Sequence, residues 1–109
     1  MDLSDYQARA RATAVYPGVG ENLVYPALGL CGEAGEVAEK VKKTIRDDGG
    51  VLTAERRTAL AAELGDVLWY VAQVATEAGL DLDEIADGNL DKLRSRRERA
   101  VLQGSGDDR

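Results

Sequence analysis

Along this chain the apolar positions recur every three to four residues, and no stretch alternates as a half-buried strand would. Residues 4–14, SDYQARARATA, lack Gly and Pro and read as a first helix, which VYPGVGEN at 15–22 then interrupts. A second helix is predicted to start between Asn22 and Tyr25, with Pro26 suited to its first turn, and to run to about Arg46. DDGG at 47–50 ends it, with glycine able to take the left-handed conformation. Thr53 suits the N-cap of a third helix that reaches about Ala78, with Gly79 just past its end. Asp81 with Glu84 resembles a capping arrangement for a fourth helix over about 82–101.

Two long and two shorter helices make an all-α domain of four-helix bundle type, spanning 1–103, with an irregular tail at 104–109. Aromatic residues make up only 5% of the chain and Phe is absent, so the core must rest on Leu, Val, Ala and Ile. Helices this lean call for a second chain to cover their apolar faces, and a homo-oligomer is expected.

Charge narrows the function. The net charge of −6 argues against binding a nucleic-acid polymer, which favours a basic surface. It allows a small anionic ligand if metal ions or a local basic cluster supply positive charge. The absence of His removes histidine catalysis and His-containing zinc sites. A single Cys31 points to a reducing, cytoplasmic setting, and no apolar run approaches a membrane span.

Two segments thirty residues apart share one pattern: LCGEAGEV at 30–37 and LAAELGDV at 60–67. Residues three apart on a helix share a face, so Glu33 and Glu36 can converge on one ligand, as can Glu63 and Asp66. At about 100° per residue, Leu30 and Val37 lie about 40–60° from Glu33, and Leu60 and Val67 bear the same relation to Glu63. Each acid pair therefore borders a core stripe. Four clustered carboxylates repel one another, and oxygen ligands without His or Cys favour Mg²⁺ or Mn²⁺. Gly35 and Gly65 precede the second acid in both segments, which suggests close approach of backbone to another helix or a ligand. Glu39 lies well around the helix from Glu33 and is expected on the solvent side, paired with Lys43.

GEAGEVAEKVKK, followed by ELGDVLWYVA and then NLDKLRSR, resembles the MazG-like all-α nucleoside triphosphate pyrophosphohydrolases over about residues 25–97. The family signature of Glu-x-x-Glu, a spacer, then Glu-x-x-Asp is matched by Glu33, Glu36, Glu63 and Asp66. The resemblance implies Mg²⁺-dependent attack of water on the α-phosphate of a nucleoside triphosphate, giving the monophosphate and pyrophosphate. The four acids would hold the metal, and Glu33 or Glu36 would act as base. Many members carry a further Glu where this chain has Gly32, and the Gly-Glu-x-Gly-Glu form looks more like the dCTP-pyrophosphatase-type branch. Members form dimers or tetramers, so a homodimer or homotetramer is implied.

In NLDKLRSRRER, Asn89, Lys92 and Arg96 fall along one helix face, and by resemblance they contact phosphate or organise the site. Asn89 shares the stripe of Leu82, Ile85 and Leu93, an awkward place for an amide without partners. Lys43, at the basic end of the second helix, is a further candidate for phosphate contact. Trp69 and Tyr70 could stack on a base but fit a core role better. The tail could close over substrate or be disordered. The competing class is a non-catalytic acidic helical interaction module, in which the acid pairs meet a basic partner without metal.

Overall fold

The computed structural model describes residues 1–100 and 103–108. Four helices follow in order: α1 (Leu3–Arg11), α2 (Val24–Asp48), α3 (Ala54–Glu77) and α4 (Leu82–Glu98). No strand occurs among the described residues. The boundaries follow local chemistry. Asp2 caps α1 by accepting from the Asp5 amide. Asn22, one residue before the α2 cap position, accepts from the Tyr25 amide at 3.0 Å. Gly49 closes α2 with φ 61°. Thr53 accepts from the Arg56 amide, and Asp81 accepts from the amides of Asp83 and Glu84.

Helix α1 stops three residues earlier than its pattern predicts. The Thr13 hydroxyl donates to the Ala10 carbonyl at 2.7 Å and pulls the chain into a tighter turn. At the other end, α4 is described to Glu98, and position 101, where the pattern placed its end, lies outside the described residues.

Helices α2 and α3 form the long antiparallel pair. Asp48 meets Arg56, Lys40 meets Glu63, and Gly29 meets Tyr70, in descending order along one helix and ascending order along the other. Helix α1 lies against α3 and touches α4. The buried apolar core is small: Ala10, Ala72, Ala75 and Leu82, with Leu3, Tyr6, Trp69 and Val71 packed around it.

Polar ties reinforce that joint. The Gln7 amide donates to Thr76 Oγ1 and the Leu80 carbonyl, while its oxygen accepts from the Leu82 amide. Glu77 Oε1 accepts from Arg11, from the Tyr16 hydroxyl and from the Gly20 amide, so the 12–23 connection is pinned to α3.

Large apolar faces stay open in the single chain. Leu28 is 68% exposed and Ile45 65%; Leu64, Leu68, Leu90 and Leu93 are exposed too. The radius of gyration is 16.7 Å, above the about 13 Å of a compact domain of this length.

Glu77 offers a test of the polar joint. Its carboxyl is held below the ordinary 4.5, first by the Gly20 amide and then by Tyr16 and Arg11. A lowered folded-state value means stability that is whole at neutral pH and is lost as pH falls through 4.5 and below. Glu77→Gln is expected to lower the denaturation midpoint at pH 7, and the gap to the parent should close in acid. Denaturant melts of both chains across pH measure this.

Candidate metal centre

The two helices bring three of the four motif acids together. Oxygens of Glu33, Glu63 and Asp66 lie within 4.8 Å of one another. Glu36 stands outside that cluster and is exposed, close enough to Glu33 for its charge to be felt. Desolvation, then the charges of Asp66, Glu63 and Glu36, push the Glu33 carboxyl above its ordinary value. Lys40 Nζ, 3.7 Å from a Glu63 oxygen, supplies partial counter-charge. A crowded set of carboxylate oxygens with one ammonium as counter-charge fits a hard divalent cation.

Gly29, rather than Gly35 or Gly65, makes the close approach possible. A Cβ at Gly29 would collide with the Tyr70 ring, whereas one at Gly32, Gly35 or Gly65 would meet nothing within 4 Å. The expectation that Gly35 and Gly65 clear space for a neighbouring helix therefore fails within the chain; both face open space. Glu39 pairs with Lys42 at 2.8 Å rather than with Lys43. Lys43 itself is half-buried on α2, its charge felt by Glu39 and Asp47.

Beside the carboxylates lies a cleft of about 250 Å³ walled by Tyr16, Tyr25, Trp69 and Tyr70, with Thr13 and Pro17 at its rim. Tyr16 and Tyr25 stack at 5.2 Å, and Trp69 stands edge-on to both Tyr16 and Tyr70. Trp69 Nε1 donates to Thr13 Oγ1 at 2.8 Å. Burial raises the Tyr70 hydroxyl above its usual value, with the charges of Tyr25, Glu33 and Asp66 adding to it, so cleft and acid cluster are neighbours. Trp69 and Tyr70 are half-buried walls rather than closed core.

A family model described as the MazG nucleotide pyrophosphohydrolase domain matches residues 26–101, from the first turn of α2 through α4. The chain belongs to the MazG nucleotide pyrophosphohydrolase family. It is also similar to the Gene 37 protein of Mycobacterium phage L5, 53% identical across the full length of both chains. No solved structure matches it. The MazG match contains all four motif acids, and α1 with the first aromatics of the cleft precedes it.

On α4 of this MazG domain the predicted residues have different surroundings. Asn89 is exposed, because of its stripe neighbours only Leu82 is buried while Ile85 and Leu93 stay exposed. The awkward amide of the sequence reading thus faces water in the single chain. Lys92 Nζ lies 3.2 Å from Asp107 Oδ1 in the tail, and Arg96 is buried against the same residue. Lys40, Gly29 and the cleft residues Tyr16 and Tyr25 were not singled out from sequence. Gly29 carried the clearest overlooked signal, a glycine one turn before Glu33 inside a helix.

Because the Tyr70 ring occupies the space a side chain would need, Gly29→Ala is expected to cost about 1–3 kcal/mol of stability. The measurement is equilibrium unfolding, with Tyr70→Ala in the Gly29→Ala background expected to relieve the clash. Failure of the second change to recover any stability beyond its own cost would place the strain elsewhere.

Proposed function

We propose that this protein hydrolyses a nucleoside triphosphate to the monophosphate and pyrophosphate, water attacking the α-phosphate with Mg²⁺, or Mn²⁺ in its place, as cofactor. The observation that carries the reading is the convergence of Glu33, Glu63 and Asp66 from two helices within the family match. Bound there, a divalent ion offsets charge on phosphate oxygens and lowers the pKa of bound water, so no protein nucleophile is needed.

The chain's own residues divide the remaining work. Glu33, Glu63 and Asp66 hold the ion. Glu36, exposed and one turn along α2, joins them or stays free to orient the attacking water and accept its proton. The aromatic cleft beside Tyr70 takes the base by stacking. Lys43, Asn89, Lys92 and Arg96 supply polar and positive groups for the polyphosphate.

The open apolar faces of α2, α3 and α4 support a homodimer or homotetramer. A cytoplasmic setting agrees with one free, exposed Cys31; among the described residues no helix is long and apolar enough to cross a membrane. Sedimentation of the purified chain is expected to give at least a dimer, and a monomer at micromolar concentration would defeat this part of the proposal.

The reaction is tested by resolving products from natural deoxynucleoside and nucleoside triphosphates with Mg²⁺. Monophosphate and pyrophosphate are expected; diphosphate with inorganic phosphate would rule out α-phosphate attack. Mg²⁺ should also raise the thermal midpoint of the parent chain. Glu63→Gln and Asp66→Asn are each expected to abolish both that rise and turnover while the chain stays folded. Glu36→Gln is expected to lower kcat about 10²–10⁴-fold if it is the base.

A further inference from the structure

Arg96 is a buried charged residue, at 4% exposure. A buried guanidinium is costly unless it meets a charged or strongly polar acceptor. Its acceptors come from the C-terminal tail: Nη2 donates to the Asp107 carbonyl at 2.6 Å and to Asp107 Oδ1 at 3.3 Å. The same Oδ1 lies 3.2 Å from Lys92 Nζ, one turn back on α4. Arg96 Nε is also buried and has no partner among the described residues, so the guanidinium keeps a donor beyond those Asp107 satisfies.

One carboxylate thus sits where two helix cations converge. The chain after α4 is turned by Ala100 at φ 59° and again by Gly106 at φ 86°. Residues 103–108 are all exposed, and the Asp107 side chain is 82% exposed. Such a tail lies on the surface and is held to α4 through Asp107. Lys92 and Arg96 together draw the Asp107 carboxyl below its ordinary value.

Resting on the function proposed above, which gives Lys92 and Arg96 to the polyphosphate, we infer that Asp107 is the built-in occupant of that subsite, displaced when a polyphosphate binds. A phosphate group offers the same oxygen acceptors with more charge and can also satisfy Arg96 Nε, which Asp107 leaves empty. A strap whose contact with Lys92 and Arg96 is made by an exposed residue is open to competition from solution, so it tunes apparent affinity rather than closing the site. The strap also explains why the predicted phosphate ligand Arg96 is buried in the free chain: the tail covers it.

Inorganic tripolyphosphate without divalent metal is the probe, titrated calorimetrically into the full chain. Asp107→Asn, which keeps shape and removes charge, is expected to bind it ~three- to tenfold more tightly than the parent. A chain ending at Gln103, which also lacks the competing carbonyl, should gain at least as much. Lys92→Ala is expected to weaken binding in both backgrounds. In NMR spectra of the parent, amides of 104–108 should move to random-coil positions as tripolyphosphate saturates. Unchanged or weaker affinity in Asp107→Asn, or unmoved tail amides at saturation, overturns the strap and makes Asp107 a support for α4 instead. Turnover to monophosphate by the parent alongside that result would leave the proposed reaction standing, whereas tail release without turnover would remove the reaction and keep the anion subsite.

Discussion

The spacing of α2 and α3 is set where the Tyr70 ring lies against Gly29, in space no other residue would leave free. The two helices run antiparallel from that contact, so one turn further along α2, and one turn back on α3, Glu33 and Asp66 face each other. Glu63 completes the cluster from the next turn of α3. The charges that accumulate there cannot all be bare. The ammonium of Lys40 relieves part of the repulsion, and a divalent ion would relieve more of it with better geometry. Helix spacing, acid convergence and the neighbouring aromatic wall therefore follow from one contact.

That arrangement is bought with little apolar burial inside a single chain. Four small or medium residues form the closed core, and the joint between α1, α3 and the 78–81 connection depends instead on Gln7, Arg11 and Glu77. Hydrogen bonds of this kind contribute about 0.5–1.5 kcal/mol each, more where a charge is involved. They fix the angle of α1 better than they stabilise the whole. The apolar faces left open on α2, α3 and α4 are the complement of this economy: helices rich in Ala and Gly pack closely, but only along narrow seams.

Helix order and most helix ends were legible in the sequence because each carries its own chemistry: Thr53 and Asp81 as caps, Gly49 and Gly79 as stops. The acid motif was legible for the same reason, since a three-residue step on a helix is geometry in itself. What pattern could not supply was which feature meets which across the fold. Gly35 and Gly65 drew notice through their repetition, yet Gly29 makes the contact. Glu39 had Lys42 and Lys43 within one turn, and rotamers chose the former. The stripe of α4 looked like a core face that would strand Asn89, but among the described residues only its Leu82 end is covered, while Ile85 and Leu93 stay exposed. The pairing of Asp107 with Lys92 and Arg96 spans a tail without periodicity, so no sequence rule could have foretold it.

The two charged centres of the chain pose mirror-image problems. On α2 and α3, carboxylates are gathered with too little positive charge beside them; on α4, two cations are gathered and quieted by a single tail carboxylate. Each is partly balanced in the free chain by a group of its own, Lys40 in one case and Asp107 in the other. A divalent ion answers only the first and a bare anion only the second. Under the proposed function the substrate is a metal-bound polyphosphate, which carries both signs in one molecule; charge complementarity would then favour that complex over either component alone.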